Sequence, residues 1–388
     1  MKILYHHRTQ GDGAEGVHIA EIVSALKELG HEVSVVCPKN AKRKPGLAPS
    51  KSRPKKIGFA MALVVKQIAE IAYNVVSYFR AQRGIRRHRP DFIYERYSAF
   101  NFGGIMAARS HRVPVILEVN ATYAGKYGCR FKVYFSAILR WAESYVLRNA
   151  TGIIVVSHPL KECVLSQQPN SDRIQVSPNG INVGRVSEVN ILEARSTVRT
   201  KLEMSDESVV IGFVGSLRKW HGIDFFAEVI PLVAAQSPDV LFMIVGTGRY
   251  EASFRAAMDD AGLSDRIVFV GPVAHDDVLP HIAAMDIGVM PDSNDFGSPM
   301  KILEYMAMRC VAVAPRLRPV EEIVEDGKTG ILFEQRDVDS FSQALCSLLL
   351  DSENRQRISK NAKDYVMSKR TWARNAQEII DLYEIVSQ

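Results

Sequence analysis

Cysteine is scarce and scattered: Cys37, Cys129, Cys163, Cys310 and Cys346 make no C-x-x-C pair and no zinc or disulfide spacing. That excludes a small disulfide-stapled scaffold and points to a reducing, cytoplasmic setting. Long hydrophobic runs are missing too, since no stretch reaches the roughly 18 uncharged apolar residues of a membrane-spanning helix. The opening MKILYHHRTQ has one Lys and only a short apolar run, so it reads as a first strand and not as a signal peptide. There is no G-x-S-x-G elbow, no H-E-x-x-H and no P-loop, which removes the usual signatures of hydrolases, zinc proteases and P-loop enzymes. Asp337-Val338-Asp339 is the nearest approach to an acidic metal motif, and it reads as a helix N-cap. No metal site is expected.

What is present is a 388-residue chain, 47% apolar and 24% charged, too long for one ordinary core. Two domains are expected, and two domains invite a cleft. The net charge of +6 is unevenly placed: residues 39–58 hold eight Lys or Arg and no acid, and residues 80–89 hold five Arg. Between them, IGFAMALVVKQIAEIAYNVVSYF reads either as a core helix beside a solvated basic loop or as a segment facing anionic lipid, so 39–89 is a candidate for peripheral membrane contact. Nucleic acid is not expected, because the basic residues lack interleaved aromatics and no nucleic-acid motif accompanies them.

Short β-branched runs alternate with amphipathic stretches: KILYH, VSVVC, FIYE, VPVILEV, GIIVVS and RIQVS, then VVIGFVG, VLFMIVG, RIVFVG, DIGVMP and CVAVAP. Such alternation predicts an α/β protein with two doubly wound parallel sheets. The domains are expected at 1–185 and 208–369, with 186–207 as linker. RTWARNAQEIIDLYEIV predicts a final amphipathic helix within 370–388.

In such sheets ligands bind where strand ends lead into helix starts. GDGAEG is a literal G-x-G-x-x-G, but HHRTQ separates it from its strand, and no acidic residue closes the second strand, where Pro38 and Lys39 follow. It therefore predicts no dinucleotide site. Gly13 and Gly16 remain candidates for amides that approach a phosphate, or for a plain turn. SLRKWHG places Ser216, Arg218, Lys219 and His221 beside a helix start, either as a diphosphate site or as a solvated basic turn. Gly246 opens a similar, less specific loop. GSPMKILEYMAMRC puts Ser298, Pro299, Met300 and Lys301 at another helix start, with Glu304 a turn further on beside a buried stripe. A carboxylate there suits the vicinal hydroxyls of a ribose, or is neutralised internally. Glu95, Arg96, Glu118 and Asn120 follow strand ends in the first half and, with His18 and Arg8, are candidate site residues of that half.

GAEGVHIAEIVSALKELGHEVSVV, VSPNGIN, FVGSLRKWHGIDFF, SPMKILEYMAMRCVAVAP, EDGKTGILF and the W-x-x-N of Trp372 and Asn375 together resemble the retaining glycosyltransferases of family 4. The resemblance implies the GT-B architecture, two Rossmann-like domains across a cleft, with the last helix returning to the N-terminal domain. It implies a nucleoside diphosphate sugar donor, a UDP-sugar foremost, no obligatory metal or other cofactor, and a glycan or lipid-linked acceptor near Glu95, Arg96, Glu118 and Asn120, with His18 and Arg8 as further candidates there. Glu304 matches the ribose-binding carboxylate, SLRKWHG the diphosphate loop, and the N-terminal glycine loop a closing element. Four positions depart from the pattern. A second Glu falls on Phe296, the usual Arg and Lys of the diphosphate loop fall on Ser216 and His221 with Arg218 and Lys219 as substitutes, and the acceptor-side His falls near Asn120. A binding subunit without transfer activity and a nucleotide-sugar epimerase are the alternatives.

Overall fold

The computed structural model describes residues 1–11, 13–38, 59–124 and 132–388. The basic segment 39–58, Cys129 and Asp12 lie outside the described residues. The chain forms two compact units, Met1–Pro178 with Trp372–Gln388, and Asn179–Thr371.

The first unit is built on strands β1 (Lys2–His6), β2 (Glu32–Val36), β3 (Phe92–Arg96), β4 (Val115–Val119), β5 (Gly152–Val155) and β6 (Ile174–Val176), all parallel in the order β2-β1-β3-β4-β5-β6. The second is built on β7 (Val210–Val214), β8 (Leu241–Val245), β9 (Ile267–Gly271), β10 (Ile287–Val289), β11 (Val311–Pro315) and β12 (Ile331–Phe333), ordered β12-β11-β10-β7-β8-β9. Strands such as β3, β4 and β11 are buried along their whole length, as sheets covered by helices on both faces require. The strand order reverses between β1 and β3 and between β7 and β10. Those two switch points are where loops at the carboxyl ends part and leave room for a ligand.

The expected linker, 186–207, is instead part of the second unit. Asn190 caps the helix Ile191–Lys201, and buried Arg199 donates to the carbonyls of Ala284, Ser205, Asp206 and Ser208 and to Asp286. The stretch reads as a linker because it is polar, but its polar groups are satisfied inward, which residue type alone does not reveal. The helix Trp372–Ser387 packs on the first unit, where the Trp372 ring meets His18 edge-on and Asn375 donates to Ser177 Oγ and the Pro178 carbonyl.

One helix reverses the usual pattern. Phe59–His88 buries Gln67, Asn74 and Ser77 and leaves Met61, Val65, Ile68, Val75 and Phe79 at least half exposed. The helix is packed on the fold through Ala81 and Ile85 as well, so it departs from a plain core helix in the outward apolar side of its first two thirds. No run of 18 uncharged apolar residues occurs, since Lys66 and Glu70 interrupt this helix, but by length and composition alone Ala60–His88 could cross a membrane, with 17% of its apolar window buried.

Candidate active site

The loops after β7 and β10 meet at the switch point of the second sheet. Gly215 takes φ +143°, which favours glycine, and a Cβ there would lie 3.0 Å from Lys301 Nζ. Lys301 stands in the first turn of the helix Met300–Ala307, capped by Pro299. Its Nζ is closed off from solvent, has no hydrogen-bond partner and lies 4.7 Å over the Phe213 ring. Burial lowers its pKa from 10.5 to about 8, with Glu304 opposing the shift. A buried ammonium without an acceptor is costly, and an anion at this spot removes the cost.

The cations expected to lead the diphosphate loop lie further out. Arg218 is exposed and its Nε donates to Ser216 Oγ at 3.0 Å, while Lys219 is exposed and 3.9 Å from Asp224. Leu217 is the buried pin of the loop, and Trp220, 45% exposed, lies tilted against the His221 ring with centroids 3.6 Å apart. Gly246 supports the loop from behind: its N–H donates to the Gly271 carbonyl, and a Cβ would fall 2.0 Å from the Gly215 carbonyl oxygen. Gly246 thus braces the loop through its backbone. Ser298 is likewise engaged within the unit, since its Oγ accepts from the Asn179 N–H and its carbonyl from the Asn179 side chain. Phe296 and Gly297 donate their amides to Asn294, which closes the preceding turn.

Glu304 is half-buried, with Oε1 3.8 Å from His275 Nδ1. Arg185 grips His275 through Nε2 and the backbone carbonyl. Burial and the Arg185 charge lower the His275 pKa from 6.5 to about 4. The imidazole is neutral near pH 7, so it is a polar neighbour of Glu304 and not its counter-ion. The sequence reading missed Asn179, Arg185 and His275. VSPNGIN carried a signal for Asn179, and nothing distinguished the other two.

In the first unit the expected acceptor residues divide. Arg96 and Glu118 are partners in register on β3 and β4, and Glu118 accepts from Arg96, Asn120 and Tyr5, with His18 at 3.2 Å. Burial opposes both charges, yet their mutual attraction prevails, holding Glu118 below and Arg96 above the ordinary value. His18 is buried and lowered to about 4, chiefly by desolvation. Glu95 does not join them. Adjacent strand residues point to opposite faces, and Glu95 meets Asn101 and His6 on the other side. Arg8 is held there too, donating to the Glu70 carbonyl.

Ser77, His6 and Glu95 superficially form a Ser-His-acid string. All three are buried, and His6 Nδ1 has no hydrogen-bond partner although Glu95 is 3.3 Å away, so the string fastens a helix and offers no nucleophile. Buried Glu118, Arg96 and His18 form a frame whose half-buried member is Asn120. At the N-terminal glycine loop, the Gly16 and Val17 amides donate to the Gly13 carbonyl, and a Cβ on Gly16 would lie 1.9 Å from the Gly11 carbonyl oxygen. Gly16 is therefore a packing requirement, and its amide is already used. Among the described residues no group of three or more His, Cys, Asp or Glu is gathered to hold a metal.

Residues 15–185 match the domain described as Glycosyltransferase Family 4, and residues 208–351 the domain described as Glycosyl transferases group 1. Relatives include alpha-D-kanosaminyltransferase of Streptomyces kanamyceticus, 22% identical over 70% of each chain. A UDP-Gal:alpha-D-GlcNAc-diphosphoundecaprenol alpha-1,3-galactosyltransferase of Escherichia coli is 24% identical over 77% of this chain and 76% of that one. Among solved structures, Anabaena Alr3699/HepE in complex with UDP superposes with a TM-score of 0.72 at 18% identity, covering 99% of this chain and 100% of that one. A glycosyltransferase from Rickettsia africae gives 0.73 at 16% identity, covering 100% and 98%. At these identities the structural likeness is one of fold.

Proposed function

The chain belongs to the GT-B glycosyltransferases of family 4 and group 1, and from that premise we propose that it moves a sugar from a UDP-sugar to a glycan or lipid-linked acceptor with retained anomeric configuration. The observation that carries the reading is the buried, unpartnered Nζ of Lys301 at the β7/β10 switch point, facing Gly215. In this reading the diphosphate lies against Gly215 and the start of the Met300–Ala307 helix, with Lys301 and Arg218 as its cations. Glu304, a turn along, accepts from the ribose hydroxyls. The Anabaena protein's UDP complex and the UDP-Gal named for the Escherichia coli relative support uridine as the base. The diphosphoundecaprenol in that relative's name supports a lipid-linked acceptor.

The chemistry is a front-face displacement. The bond from the anomeric carbon to the diphosphate oxygen breaks and the bond to the acceptor oxygen forms on the same face. The acceptor proton passes to a leaving phosphate oxygen. Charge accumulates on the diphosphate, where a preorganised donor such as Lys301 stabilises it by about 2.7–4 kcal/mol if it acts like an oxyanion donor. Asn120, oriented by the buried Glu118 and Arg96, is a group that can align the acceptor hydroxyl. Lys301 and Arg218 supply the neutralising charge, so turnover is expected to survive chelation by EDTA.

The deciding experiment is a thermal-shift and turnover panel of UDP-, GDP- and ADP-sugars, with Lys301→Met and Glu304→Ala alongside. Stabilisation by UDP-sugars, lost in both variants, with acceptor-dependent UDP release, is the expected result. Donor binding without product would indicate a binding subunit, and a changed sugar without an acceptor an epimerase. Absence of binding to any nucleotide sugar overturns the assignment.

A further inference from the structure

The helix Phe59–His88 carries its amphipathicity inside out. Met61, Val65, Ile68, Ala72, Val75 and Phe79 follow one another at steps of four and three, and all are exposed. These steps place them on one line along the outer face. The same line continues, after Phe79, into exposed Arg83 and Arg86, with exposed Arg87 beside it. The helix holds one acidic residue, Glu70, half-buried and paired with Lys66.

The inner face is anchored by buried polar groups and, towards its C-terminal end, by Ala81 and Ile85. Gln67 donates to the Lys132 carbonyl and accepts from the Tyr134 amide. Asn74 accepts from the Phe102 and Gly103 amides and donates to the Phe100 carbonyl. A helix so tied cannot leave the fold to span a bilayer without abandoning those bonds, despite its length. An apolar ridge merging into a cluster of arginines, with no acid on the outer face, complements an anionic lipid surface. A second copy of the chain would bring the same arginines and no carboxylate to meet them. We propose that this outer face docks the protein flat on an anionic membrane surface, the apolar line in the acyl boundary and Arg83, Arg86 and Arg87 among the headgroups.

The test is co-sedimentation of the full chain with vesicles of phosphatidylcholine alone, or with roughly one third phosphatidylglycerol. The wild type is expected to bind the anionic vesicles and to be released by salt. The double variant Val75→Asp, Phe79→Asp is expected to stay in the supernatant. Replacing Arg83, Arg86 and Arg87 by Ser is expected to weaken binding about fivefold per charge. These positions are exposed, so the thermal transition and the UDP-sugar thermal shift are expected to be unchanged, which separates lost docking from lost folding and from failure of the donor assignment. Equal sedimentation of the aspartate variant, or no wild-type binding, overturns the proposal. A dimer seen by light scattering, broken by the same variant and without vesicle binding, assigns the face to a second copy instead.

Discussion

Lys301 makes donor binding sensitive to pH in a definite direction. Its pKa of about 8 in the free protein means that the ammonium is lost as pH rises through that value, whereas a bound diphosphate would hold the proton on. Donor affinity is therefore expected to be level below about pH 8 and to fall above it. A Lys301→Met titration followed by calorimetry should lack that fall and bind weakly throughout. Glu304→Gln keeps the shape but loses charge-assisted bonds worth about 1.5–3 kcal/mol, so donor binding should weaken roughly 10- to 150-fold. Stability follows the buried histidines. His7, His18 and His275 each fall from 6.5 to about 4 on folding, all three chiefly through desolvation. The unfolded chain then binds more protons between those values. The melting temperature should decline as pH drops below about 6.5, and Glu118, held below its ordinary value, adds to the loss at the acid end.

At the scale of elements, the loops that shape the donor site depend on close backbone contact. Gly246→Ala would place a methyl group against the Gly215 carbonyl in a left-handed backbone. Roughly 1–3 kcal/mol of strain should appear as a lower melting temperature and a displaced, weaker donor site. Much of this architecture was legible. Eleven strands stood out as short β-branched runs between amphipathic stretches, whereas the three-residue β12 was not picked out as a run of its own. The GSP turn and Glu304 were legible because a loop residue cluster and a lone acid beside an apolar stripe are both local signals. Grouping Glu95 with Arg96 failed against strand geometry itself, since neighbours in a strand share no face. The outward stripe of the Phe59–His88 helix was ambiguous for another reason: periodicity locates a stripe without saying whether the fold or the solvent receives it.

For the whole molecule, Arg199 is a single point on which the region once taken for a linker depends. Arg199→Met would leave Asp286 without one of its two arginines and several carbonyls without donors. A loss of about 3–5 kcal/mol is expected, measurable by urea denaturation, with the second unit the more affected. The division of the chain has a further consequence, in time. Residues 179–371 form one unit, and the helix that begins at Trp372 belongs to the other. During synthesis the first unit must therefore wait, lacking the partner of His18 and Ser177, while roughly 200 intervening residues are made, about 10–40 s at common elongation rates. The second unit can finish folding before the first one does, so the nascent chain exposes an incomplete N-terminal half to chaperones and proteases until its last helix arrives.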